Sequence, residues 1–169
     1  RTFLMQTGGL IAASHLTLPR AESNNLVNDR IVISMVGVRG RGNSVMSTFA
    51  ALPTVELRYI CDIDSAVLTQ RVEQMTSKLG KKVEGLKDVR KSLDDKNVDA
   101  VVLGTPDHWH ALPTIWACQA GKDVYTEKPD GHNMIEGRTM VAAAKKYERI
   151  VQMGTQSRSG AHFLKAIEF

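Results

Sequence analysis

Ile31-Val32-Ile33-Ser34-Met35-Val36-Gly37-Val38-Arg39-Gly40-Arg41-Gly42 is the stretch that decides the fold. Its first six residues form a β-branched run interrupted only by Ser34 and Met35. A strand with one wet face would alternate, so this run predicts a strand buried on both sides. A glycine-rich turn follows at once, and Val45, Met46, Phe49 and Leu52 then recur at helical spacing up to Pro53. Strand, glycine turn and helix, in that order, open a parallel sheet.

The alternation continues along the chain. Val55–Cys61 predicts a second strand, and Asp64 or Ser65 caps a helix carrying Leu68, Val72, Met75 and Leu79, closed by Gly80. A short strand near 83–85 and a small helix near 89–93 come next, followed by the strongest strand at 98–103. Asp107 is expected to cap a helix that presents Leu112, Ile115 and Trp116 and stops at Gly121. Strands at 123–126 and 150–153 enclose a helix at 135–147. The fold class is therefore α/β, a doubly wound parallel sheet of Rossmann type with strand order 3-2-1-4-5-6. Right-handed crossovers put all strand C-termini on one edge, so the residues that follow strands are the candidate site.

Composition narrows the function classes. With 169 residues, 43% hydrophobic and 24% charged, a packed core is within reach. The 22 Lys+Arg against 18 Asp+Glu leave a net charge of +4 that is scattered, with acids near both Lys81-Lys82 and Lys145-Lys146, so no nucleic-acid partner is expected. No run of roughly 18 apolar residues occurs, and no stable membrane anchor is expected. Cys61 and Cys118 lack the number for a disulfide framework and the spacing for zinc, and read as small buried residues.

Residues 1–28 read as an export signal of twin-arginine type, which implies a periplasmic protein. Arg1-Thr2-Phe3-Leu4 corresponds to the second half of such a motif, and a mildly apolar stretch containing Gly8 and Gly9 gives way to small and polar residues. Residues 29–158 form the expected NAD(P)-binding domain. Residues 159–169 read as the start of a helix leading into a second domain beyond the chain.

Each strand end then offers a motif. Gly37 and Gly42 occupy the outer positions of a GxGxxG fingerprint, serving the tight turn and the packing of helix on strand, while Arg39 stands at the middle position and Gly40 follows it. Arg39 and Arg41 bring positive charge to a helix N-terminus suited to a pyrophosphate. Asp62 lies 20 residues beyond Gly42 at the end of the second strand, placed to accept hydrogen bonds from an adenosine ribose. Its carboxylate would repel the 2′-phosphate of NADP, so NAD is the expected cofactor. After the fourth strand, Thr105, Pro106 and His110 are assigned to the cofactor site, Thr105 and Pro106 at its edge and His110 as a histidine packed behind them. His108 and His110 do not read as metal ligands, since alternate residues at a helix start diverge and no carboxylate or thiol accompanies them.

Glu127-Lys128-Pro129 follows the fifth strand. Together with Val36 to Gly42, Cys61-Asp62-Ile63-Asp64, Thr105-Pro106-Asp107-His108-Trp109-His110 and Gly154-Thr155-Gln156-Ser157-Arg158, it resembles the N-terminal domain of the Gfo/Idh/MocA oxidoreductases, especially their exported bacterial branch. The resemblance implies that Lys128 lies between nicotinamide and substrate as the catalytic acid or base. It also implies Glu127 and Gln156 among the cofactor contacts and a cis bond before Pro129. The expected activity is hydride transfer between NAD and a carbinol carbon of a sugar, polyol or related small molecule, in a homo-oligomer.

An NAD-using glycosidase of the same architecture is the alternative, and a nucleotide-binding piece without chemistry is the third reading. Two departures bear on activity. Asp130-Gly131 stands before His132-Asn133 where relatives of this branch carry Leu-Ser, adding a negative charge two residues from Lys128. The family's α+β substrate domain is outside the chain, so the chain alone is expected to be inactive.

Overall fold

β1 (Ile31–Val36) has its last five residues buried, as a strand covered on both faces must. The computed structural model describes residues 30–167, so the export reading of 1–28 lies outside the described residues. β1 pairs in parallel with β2 (Val55–Cys61) on one side and β4 (Ala100–Leu103) on the other. β3 (Glu84–Leu86) extends the sheet beyond β2, while β5 (Asp123–Glu127) and β6 (Val151–Gly154) extend it beyond β4, giving the order β3-β2-β1-β4-β5-β6. The strand order and the parallel pairing are those expected from the sequence.

Helices cover both faces. On one side α1 (Gly40–Phe49) and α2 (Ser65–Leu79) close over Ile33, Met35, Leu57, Ile60 and Val102. On the other, α3 (Arg90–Leu93), α4 (Ala111–Gln119) and α5 (Met134–Lys146) close over Val36, Cys61, Val101, Leu103 and Val124. Neighbouring strand residues go to opposite cores, which is the period of two read through a sheet with no wet face. α6 (Gln156–Ser159) and α7 (Ala161–Ile167) follow β6, separated at Gly160.

Caps behave largely as their chemistry dictates. The Asp64 side chain accepts from the backbone N–H groups of Ala66 and Val67, and Gly80 ends α2 in the left-handed conformation. Asn133 accepts from the N–H of Glu136, whose carboxylate in turn accepts from the N–H of His132 at 2.7 Å. This reciprocal capping box starts α5 and gives His132-Asn133 a structural task.

Three local expectations are corrected. Leu52 is not on α1: the helix ends at Phe49, and Leu52 sits half exposed in the turn before β2. Asp107 does not cap α4; it opens a 3-10 turn, Asp107–Trp109, and α4 begins at Ala111 without a side-chain cap. The buried face of α4 is made by Ala111, Thr114, Ala117 and Cys118, whereas Leu112 is exposed. Small side chains let this helix lie close on β4 and β5, and α4 is apolar enough all round that periodicity did not single out the inner face. The strands near 83 and 150 each begin one residue later than expected, as short edge strands often do.

Candidate functional site

A cleft of about 880 Å³ opens at the C-terminal ends of β1, β2, β3 and β4. It lies on the sheet edge where an open α/β fold receives its ligands. Gly37, Arg39, Asp62, Thr105 and Pro106 line it, together with Ile63, Asp64, Asp88, Trp109 and Trp116.

The glycine turn is built by close backbone contacts. Gly37 has φ +77°, and a Cβ there would stand 2.8 Å from the Thr105 nitrogen. A Cβ on Gly42 would stand 1.9 Å from the Gly37 carbonyl oxygen, so the third glycine of the motif brings α1 against the β1 turn. Arg39 is extended, at φ −88° and ψ 165°, and its side chain does not cap α1. The first-turn N–H groups of α1 are thus left without a side-chain cap at the N-terminus of the helix, where an anion is favoured, although α1 itself does not line the cleft.

Asp62 is held from both sides. Its Oδ2 accepts from the N–H of Val38 at 3.1 Å and its Oδ1 from the N–H of Asp64 at 3.0 Å. These bonds aim the carboxylate along the cleft wall and leave each oxygen one further lone pair. The two arginines of the turn part company. Arg39 pairs with Asp64, while Arg41 reaches across to Glu127 Oε1 at 2.9 Å. The Glu127 hydrogen bond raises the Arg41 pKa further above its ordinary value. The charge assigned to the pyrophosphate is therefore engaged elsewhere in this structure, and Arg41 does not line the cleft.

Thr105 Oγ1 donates to the Trp109 carbonyl at 3.1 Å. His110 is fully buried and does not line the cleft. Its Nε2 meets the Thr105 carbonyl at 2.8 Å and its Nδ1 meets the Pro129 carbonyl, so the ring ties the loop after β4 to the loop after β5. His110 is thus packed behind the cleft and is not among the residues that line it, which corrects its assignment to the cofactor contacts.

Glu127, Lys128 and Gln156 lie at the ends of β5 and β6, outside the cleft but on the same edge of the sheet. Glu127 is 3% exposed; Oε1 takes Arg41 and Tyr125 Oη, while Oε2 is buried with no hydrogen-bond partner. Gly154 leaves room for this carboxylate, since a Cβ there would lie 2.8 Å from Glu127 Oε1. Lys128 is exposed and, among the described residues, makes no ion pair, not even with Asp130. The peptide bond between Lys128 and Pro129 is cis, as expected. No group of three metal-ligating side chains occurs among the described residues.

A family model described as "Oxidoreductase family, NAD-binding Rossmann fold" matches residues 31–155. The chain belongs to this Gfo/Idh/MocA family. Among its relatives is a glycosyl hydrolase family 109 protein of Shewanella pealeana, 27% identical over 175 residues that cover 90% of this chain and 38% of that protein. GenD2 from gentamicin A biosynthesis, solved in complex with NAD, superposes with a TM-score of 0.74 at 26% identity, covering 83% of this chain and 38% of GenD2. The WlbA dehydrogenase of Chromobacterium violaceum, solved with NADH and UDP-GlcNAcA, gives a TM-score of 0.69 at 31% identity, with 82% and 39% covered. The chain thus spans well under half the length of these family members. It is the family's NAD-binding domain.

The residues of the site fit that cofactor. The β1 turn admits no side chain at Gly37 or Gly42, α1 begins without a side-chain cap, and Glu127 holds a buried oxygen in reserve. Sequence reasoning missed Ile63, Asp88, Trp109 and Trp116 as cleft residues. Their signal was positional: each follows a strand or sits on the helix just after one.

Proposed function

We propose that this domain serves an NAD-dependent oxidoreductase acting on a carbinol carbon of a sugar, polyol or related small molecule, with Lys128 as the acid or base. The observation that carries the proposal is the pairing at the end of β5. Glu127 is buried there with one carboxylate oxygen unpartnered, and the next residue, Lys128, is an exposed ammonium that pairs with no acid among the described residues. NAD, when bound, supplies the hydride acceptor. Lys128 holds or releases the proton of the substrate oxygen, and Glu127 turns its spare oxygen toward the cofactor. Asp62 receives the ribose hydroxyls and favours NAD over NADP, because a 2′-phosphate beside it would meet like charge. The sugar class is supported by the WlbA dehydrogenase structure, which holds UDP-GlcNAcA.

In the enzyme at its relatives' full length, Lys128→Ala lowers turnover by about 100-fold or more, the usual contribution of a positioned acid or base, and leaves NAD affinity nearly unchanged. Equal loss of both would confine Lys128 to binding. The second reading, an NAD-using glycosidase, is favoured by the Shewanella pealeana relative, a glycosyl hydrolase family 109 protein. Sugar release from a glycoside without net NADH would select it over the dehydrogenase. The proposal includes export to the periplasm through residues 1–28, which fusion of those residues to a folded reporter tests.

A further inference from the structure

Two charged pairs and one carboxylate held by the backbone shape the cleft where the adenosine end of a dinucleotide would lie. Arg90 is held by Asp88 through three nitrogen–oxygen contacts of 2.6 to 3.0 Å. Asp62 has both oxygens fixed by backbone N–H groups, those of Val38 and Asp64. Arg39 follows the first of those anchors and Asp64 is itself the second, and their side chains pair with each other. The Arg39–Asp64 pair therefore closes a ring around the Asp62 carboxylate. Any group that Asp62 accepts sits beside one guanidinium and two carboxylates.

Asp64 is well placed to hold this arrangement. Its Oδ1 takes the N–H groups of Ala66 at 2.9 Å and Val67 at 3.2 Å as the cap of α2, and its Oδ2 is left for Arg39. The aspartate is fixed by its helix before the arginine arrives, so only the arginine side chain has to be ordered.

We infer that Asp64 is a cofactor-specificity residue, acting by withholding Arg39 from the 2′-phosphate of NADP. An arginine is the natural partner of a phosphate monoester at this position, and without Asp64 the turn that binds NAD would offer one. With Asp64 in place the guanidinium is already neutralised and a second negative charge stands beside Asp62. A ribose diol is indifferent to that balance; a phosphate is not. This rests on the NAD-binding reading of the same cleft.

The test is calorimetric titration of the chain with NAD and with NADP. Asp64→Asn keeps a side-chain oxygen for the cap and removes the charge, and Asp64→Ser does the same with a shorter side chain. Both variants should raise the NADP-to-NAD affinity ratio about fivefold over the parent's, the scale of an exposed ion pair. Adding Arg39→Ala to Asp64→Asn should abolish the gain. The gain should also shrink as salt is raised, since the groups are exposed. Thermal melts of each variant report folding independently of binding. An NADP-to-NAD ratio that stays at the parent's value, or a gain that survives Arg39→Ala and so belongs to another cation such as Lys87, overturns the withholding of Arg39 by Asp64. Failure of NAD to bind the folded parent chain overturns the cofactor reading itself, and the inference with it.

Discussion

The two edges of the sheet treat their polar groups in opposite ways. At the N-terminal edge, almost every one is matched inside the protein. Lys122, only 5% exposed, donates from Nζ to the Asp95 carbonyl at 2.7 Å, and the Asp95 carboxylate takes Tyr59 Oη at 3.0 Å and Arg58 at 3.4 Å. Asp99 accepts the N–H of Val32, near the start of β1, and Asp123 that of Ile150, just before β6. At the C-terminal edge the accounts are left open. Among the described residues, Glu127 Oε2 is buried without a partner, Lys128 pairs with no acid, and α1 begins without a side-chain cap. A buried polar group left unpaired is costly, so a fold that saturates one edge and not the other is keeping the second for a ligand.

The strongest way to break this contrast is at the turn. Gly42→Ala would place a Cβ 1.9 Å from the Gly37 carbonyl. The neighbour is backbone, so the turn must open: stability should fall by about 3 kcal/mol, the upper end for overpacking, and NAD binding should be lost. Full NAD affinity in a folded Gly42→Ala chain would refute the turn as the phosphate cradle.

Next comes a pair of substitutions that should separate the edges. Glu127→Gln is expected to weaken NAD binding by about tenfold while moving the melting midpoint by no more than about 4 °C. Lys122→Met, at the saturated edge, should do the reverse, costing about 1 kcal/mol of stability and leaving NAD affinity alone. If the two variants behave alike in both measurements, the difference between the edges has no functional meaning.

The smallest effect is in acid. The Arg90 side chain, and then its backbone N–H, hold the Asp88 carboxyl at a pKa of about 2, below its ordinary 3.8. A carboxylate depressed in the folded state adds stability above its unfolded pKa and loses it as pH falls through the folded value. The parent should therefore lose stability more steeply than Asp88→Asn between about pH 3.8 and 2, and the two should run parallel above that window. Parallel melting curves throughout the acid range would remove Asp88–Arg90 as a folded-state pair.

The fold was legible because its signals are local. β1 needs only a β-branched run, α2 only an aspartate cap and a glycine stop, and right-handed crossovers then leave little choice of strand order. α4 was legible as a helix but not in its orientation, because a helix apolar on every side carries no phase, and the closeness permitted by Ala111, Ala117 and Cys118 is a property of the sheet it meets. The site divided in the same way. Gly37, Arg39, Asp62, Thr105 and Pro106 follow strands and line the cleft, while His110 turned inward to join two loops.

By itself, then, the sequence determined the parallel sheet, its order, the glycine turn and membership of the oxidoreductase family, each carried by residues close together in the chain. Only the tertiary structure decided where the charges of the turn go. Arg39 finds Asp64 across 25 residues and Arg41 finds Glu127 across 86. Coulomb attraction depends on distance in space, and adjacency in the chain says nothing about which acid a long, flexible arginine will meet.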